Sequence, residues 1–205
     1  SPTATVTDVY LPSIQYVLKT AYDLTGRYPD SIDWLPSYFL TPDKHAMWQE
    51  FIQTKPDIVC ISVFVWNREV LHWLAKEIKQ HSPETVIILG GPDVSWKKHE
   101  TYAQQHSYYD YIVYGDGEET FTQLLDLIIG NRASTLSLLN IKNLIFTDKN
   151  NKVYKTPYEI YRGDVYTQIS PWQHCLTDFL RDCAVARSHN LQPHVAWEFD
   201  KGCPY

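Results

Sequence analysis

Two stretches in the middle of the chain are apolar at nearly every position, 56–65 (PDIVCISVFV) and 85–91 (TVIILGG), and a third, 109–117 (YDYIVYGDG), has a shorter apolar centre and ends in glycine. Short runs of this kind, rich in β-branched residues and bounded by turn formers, predict strands buried on both faces. Between them the period changes to that of a helix. REVLHWLAKEIKQHS sets Leu71, Leu74, Ala75 and Ile78 on one face, KKHETYAQQHS gives a weaker helix, and EETFTQLLDLII is closed by Gly130. Strand and helix alternating through short connections predict a parallel sheet covered on both faces. Upstream, LPSIQYVLKTAYDLTG and DKHAMWQEFIQTK predict two further helices, with SIDWLPSYF between them as a short strand or irregular segment. A first strand is expected in TATVTDVY, where threonine blurs the contrast. The expected fold class is α/β, a flavodoxin-like doubly wound parallel five-stranded sheet ending near Gly130, followed by a hairpin and linker.

Past Gly130 the pattern is different. NLIFTDKNNKVYKT holds two extended runs around Lys149-Asn150-Asn151, a hairpin signal. PYEIYRGDVYTQISPWQHCLTDFL reads as a linker with one short helix, and HVAWEF as a strand. This tail carries too little apolar surface for a core of its own. The expected division is therefore a Rossmann-like domain over 1–130 and a hairpin and linker over 131–205 that lie against it or against a further domain.

Composition narrows the function. Hydrophobic residues make up 44% and charged residues 20%, enough for a real core. A net charge of −6 without a basic patch argues against nucleic acid. No run reaches 18 apolar residues, so no membrane span is expected, and SPTATVTDVY has neither the charged nor the apolar region of a secretory signal. Four cysteines make no disulfide framework, and Cys60, inside an apolar run, is expected to be a small buried hydrophobe. A reducing, cytoplasmic setting is expected. Trp34, Trp66, Trp96, Trp172 and Trp197 stand in or beside loops, where they line a large flat ligand or cover the core.

In open α/β sheets, ligands bind at the carboxyl ends of the strands. Here those ends are SVFVWNR, GGPDVSW and GDGEET. GDGEET is not a dinucleotide fingerprint: Thr120 replaces the third glycine, the motif follows the last strand, and Glu118 and Glu119 would repel a pyrophosphate. There is no Walker A motif, no nucleophile elbow, and no zinc spacing among His174, Cys175, Cys183 and His189. By themselves, GDGEET is equally a glycine turn opening a charged helix, Gly90-Gly91-Pro92 a tight turn, and Ser62 a satisfied strand residue.

Taken together, the strand ending in Ser-x-Phe, VIILGGPDVSW and YDYIVYGDGEETFTQLL resemble the cobalamin-binding domain at the N-terminus of radical S-adenosylmethionine enzymes. LPSIQYVLKTAYD resembles that family's early helix, and SPWQ its linker. WEFDKGCPY resembles the strand entering the radical domain, with Cys203 as the first thiolate of its Cys-x3-Cys-x2-Cys motif. The resemblance implies a truncated N-terminal fragment, inactive alone. The [4Fe–4S] cluster and S-adenosylmethionine would belong to the full-length parent, possible methyl transfer included, and the missing C-terminal radical domain would be its partner. It implies Ser62 beside the cofactor's buried nucleotide tail, Gly90 and Gly91 as a close backbone approach, and Gly115, Gly117 and Glu118 at the rim near the corrin. The family's Asp-x-His-x-x-Gly is missing, which implies base-off cobalamin with no histidine below the cobalt. Phe64, Trp66 and Asn67 complete the implied cofactor set, the latter two, with Arg68, at the lower face. The alternative is a degenerate flavodoxin-like scaffold or interaction domain that has lost cobalamin.

Overall fold

The computed structural model describes residues 7–11, 13–35, 43–95, 99–160, 170–188 and 190–195. The elements in chain order are β1 (Thr7–Leu11), α1 (Ser13–Thr25), α2 (Lys44–Thr54), β2 (Ile58–Ser62), α3 (Arg68–His81), β3 (Val86–Gly90), α4 (Pro92–Ser95), α5 (His99–Gln105), β4 (Tyr111–Val113) and α6 (Glu118–Ile129). They continue with α7 (Thr135–Leu138), β5 (Leu144–Thr147), β6 (Val153–Lys155), α8 (Pro171–His174), α9 (Leu176–Ser188) and β7 (Leu191–Val195). A single 3-10 turn, Pro29–Ser31, lies between α1 and α2.

The architecture is α/β and flavodoxin-like. Five strands run in the order β2-β3-β4-β5-β6. The first three are mutually parallel, with Ser62 opposite Gly90 and Leu89 opposite Ile112. The expected hairpin forms and joins this sheet, its two strands pairing antiparallel beside β4. The expected first strand also forms, but it pairs in parallel with β7 in a separate two-stranded ladder, Thr7 opposite Leu191 through Leu11 opposite Val195. β2 is consequently an edge of the five-stranded sheet, and this corrects the expectation for Cys60, which is exposed.

Strand periodicity divides the core in two. Ile87 and Leu89 of β3 face α2, α3 and α5, while Ile88 faces the side built by α1 and α6. The same alternation separates Ile112 from Val113 and Ile145 from Leu144 and Phe146. Ile87, Ile88 and Leu89 are at most 3% exposed, so each contributes about 1.5–3 kcal/mol of burial. On α3 the four residues expected on one face, Leu71, Leu74, Ala75 and Ile78, are all buried.

The tail departs from its expected form. In place of a linker with one short helix there are α8 and the 13-residue α9. Both rest on α1: Tyr16 donates a hydrogen bond to Asp182 Oδ2 at 2.5 Å, and its ring meets Trp172 and Phe179. Burial pushes the Tyr16 phenol far above its ordinary range, and the Asp182 hydrogen bond adds to this. On its other side α1 reaches α6 through Tyr22, whose hydroxyl donates to Asp126 at 3.0 Å.

Candidate functional site

The parallel strands end together. Past the Ser62–Gly90 pair the ladder gains one more bond, from Val63 N to Gly90 O at 2.9 Å, and Asp93 N then donates to Val63 O at 3.1 Å. Gly91 turns the chain with φ of +102°, and a Cβ there would lie 2.5 Å from Val63 N and 3.0 Å from Ser62 Oγ. Gly91 is thus required by its own backbone and by the neighbouring strand. Gly90 is roomier, since its Cβ would meet Val113 O at 3.7 Å.

Between β2 and α3 the chain makes a short excursion that presents apolar side chains to solvent. Trp66 is 79% exposed and Val65 72% exposed. Phe64 lies stacked on Trp66, with ring centroids 4.6 Å apart and planes 16° apart. Trp34 and Trp172 instead pack on neighbouring aromatic rings, so Trp66 alone among the described tryptophans is exposed; Trp96 and Trp197 lie outside the described residues. Asn67 does not turn its amide outward. Its Oδ1 accepts from Phe64 N at 2.7 Å and its Nδ2 donates to Ser62 O at 3.2 Å. Arg68 makes a two-pronged pair with the buried carboxylate of Asp93, its Nε donating to Oδ2 at 2.7 Å. That pairing holds the guanidinium above its already high ordinary value.

The third strand end is partly covered. Gly115 has φ of +72°, and a Cβ there would meet the Tyr158 ring at 2.6 Å. Tyr158 stacks on Tyr114 yet is 58% exposed, as is Ile160 at 56%. The segment carrying Tyr158 is held by buried Asn143, which exchanges two 2.7 Å hydrogen bonds with the Glu159 backbone. Gly117 precedes α6 with an ordinary backbone, and Glu118 is buried. Glu119, beside it, is raised above the usual carboxylate range by burial and by the nearby Glu159.

The sequence-predicted residues therefore fall into two groups. Ser62, Phe64, Trp66, Asn67, Gly90 and Gly91 come together at the ends of β2 and β3, and Gly115, Gly117 and Glu118 gather after β4. Cys203 lies outside the described residues. Sequence reasoning missed Val65, Asp93, Asn143 and Tyr158. Asp93 had a signal, lying two residues after the glycine pair; Tyr158 sits in a segment read as linker. Among the described residues, no three His, Cys, Asp or Glu side chains are grouped to hold a metal ion. His174 pairs with Asp23, and Cys175 with Thr20. A pocket of about 280 Å³ beside α6 is lined by Arg27, Asp126 and Arg132 and shares no residue with this site.

Residues 38–125, which hold the three parallel strands and their glycine ends, match the B12 binding domain family. The chain is similar to that family over this stretch. It is 26% identical over 196 residues to 2-(S-pantetheinyl)-carbapenam-3-carboxylate methyltransferase of Streptantibioticus cattleyicolor. It is 24% identical over 196 residues to the cobalamin-dependent radical SAM methyltransferase TokK of Streptomyces tokunonensis. Both alignments take in 96% of this chain, and the chain spans only 28% of the length of either relative. The fold matches that of the cobalamin-dependent S-adenosylmethionine radical enzyme OxsB with aqua-cobalamin bound, at a TM-score of 0.57 and 16% identity, covering 86% of this chain and 25% of that one. Among the described residues, no helix is long and apolar enough to cross a membrane.

Proposed function

We propose that this chain is the cobalamin-binding module of a radical S-adenosylmethionine enzyme, with methyl transfer as the reaction of the whole protein. The reading is carried by one observation: the stretch similar to the B12 binding domain family displays an exposed, braced Phe64–Trp66 stack beside the Ser62, Gly90 and Gly91 strand ends. Contiguous apolar surface facing solvent at a strand end is a feature of binding sites. Ser62 and the glycine pair would flank the nucleotide tail of a base-off cobalamin. Phe64 and Trp66 would lie under the corrin with no histidine below the cobalt, and Gly115, Gly117 and Glu118 would form the rim. When bound, cobalamin supplies a carrier for a methyl group; the chain's own residues hold it, orient it and exclude water.

In this proposal Cys203 is one of three thiolates of a [4Fe–4S] cluster that binds S-adenosylmethionine, both of them assembled only with a C-terminal radical domain. The setting proposed is cytoplasmic and reducing, with no nucleic acid or membrane as partner. The test is direct. The purified chain is mixed with hydroxocobalamin, desalted, and its visible spectrum recorded. Retained corrin absorbance is expected. A colourless protein would favour the second reading, a scaffold that no longer binds cobalamin, which the Tyr158 ring over Gly115 gives some standing.

A further inference from the structure

Exposing Val65 and Trp66 is unfavourable for an unliganded loop, and a slack one would fold these side chains down. Something must hold the excursion open. Asn67 does so from within: besides its two side-chain bonds to Ser62 O and Phe64 N, its own N–H donates to Phe64 O at 3.3 Å. One residue thereby ties both ends of the segment that carries Trp66. From outside, the neighbouring turn grips the same segment twice, through Asp93 N to Val63 O and through the Asp93 carboxylate to Arg68. The carboxylate is 5% exposed, so loss of Arg68 would leave a buried charge uncompensated.

We infer that Asn67 and the Arg68–Asp93 pair are positioning residues that hold the Phe64–Trp66 stack in place for the flat face of a corrin, and that Asn67 does not itself contact the cofactor. This rests on the proposed function and replaces the expectation that Asn67 is a cofactor ligand. Each polar atom of its amide already bonds to backbone, so its one remaining N–H and one remaining lone pair are held in the orientation those bonds fix.

A double-mutant cycle tests it, with hydroxocobalamin titrated into the 205-residue chain. Asn67→Ala is expected to weaken binding roughly tenfold and to shift the visible spectrum of the bound corrin. Asn67→Asp, which keeps the acceptor for Phe64 N, is expected to recover part of the loss. In a Trp66→Ala background, Asn67→Ala is expected to do nothing more, because a brace has no effect once its load is gone. Independently of any ligand, the Phe64 amide proton is expected to exchange faster in Asn67→Ala than in the wild type. If Asn67→Ala lowers the far-ultraviolet circular dichroism, the same cycle is run with Asp93→Asn. Additive losses in the cycle, with wild-type binding intact, overturn the brace and leave the proposed function standing. Unchanged Phe64 exchange also overturns it. A wild-type chain that retains no corrin overturns both.

Discussion

At the scale of single residues, the two adjacent glycines at the end of β3 are not equivalent. Gly91 holds a φ that L-residues rarely adopt, and its missing side chain is the space taken by the Val63 backbone, 2.5 Å away. Gly90 has neither constraint, its nearest neighbour lying 3.7 Å away. Gly91→Ala is therefore expected to destabilise the fold by about 1–3 kcal/mol or more, and Gly90→Ala to leave it nearly unchanged, as thermal melts would show. The sequence singled out the glycine pair as a tight turn or as a close backbone approach to a ligand. That Gly91 makes room for the next strand, with no ligand required, was not legible, because sequence spacing does not reveal which strand lies alongside. If Gly91→Ala melts with the wild type, the backbone explanation is wrong and the tail of a ligand becomes the better account of that glycine.

Among the elements, the contact of α3 with the end of α5 and the segment that follows it is expected to depend on pH. His72 and His106 stack face to face at 4.2 Å with planes 2° apart. Around them stand Tyr102 and Tyr109, bonded to His72 at 3.1 and 2.7 Å, and Tyr108, bonded to His106 at 2.6 Å. Burial depresses the titration of His106 below its ordinary value, and two imidazolium rings cannot stack at this distance without repulsion. A depressed pKa in the folded state means that the unfolded chain takes up the proton first. Stability from this contact is present above the ordinary histidine value, about 6.5, and is lost as the pH falls toward and through the folded value. Arg68 adds positive charge near Tyr102, and Asp93 offsets it. Urea unfolding is expected to show a drop in midpoint from pH 7.5 to pH 5.5, and His106→Phe to flatten that dependence; an unchanged slope in the variant would place the acid sensitivity elsewhere. The elements themselves were unequally legible. β2, β3 and α3 stood out because continuous or one-sided apolar patterns are what doubly covered strands and surface helices require. α9 did not, because the residues it buries are Asp182, Cys183 and Ala186, a polar or small set satisfied by Tyr16 from a helix far away in sequence. The partner of β1 was equally hidden, since nothing in either strand's composition names the other.

For the molecule as a whole, α1 is the joint. It holds α6 on one side and α8 and α9 on the other, while β1 and β7 pair the two distant parts of the chain. The proposed site lies at the carboxyl ends of the parallel strands, where the topological rule for open sheets puts ligands, and its detail depends on loops whose internal hydrogen bonds no pattern displays. A ligand that binds only the folded state must stabilise this entire arrangement. At a concentration one hundred times its dissociation constant the gain is about 2.7 kcal/mol. For a domain of this size that corresponds to a rise in melting temperature of roughly 5–10 °C. Hydroxocobalamin is expected to produce such a rise in the wild-type chain, saturating with concentration. Trp66→Ala is expected to reduce it while leaving the melting temperature of the unliganded protein almost unchanged, because an indole that is 79% exposed contributes little to the free fold. A flat response in the wild type would mean that the strand ends no longer take the cofactor and that the domain serves the larger protein as scaffold. An undiminished response in Trp66→Ala would keep cobalamin but move its corrin away from the Phe64–Trp66 stack.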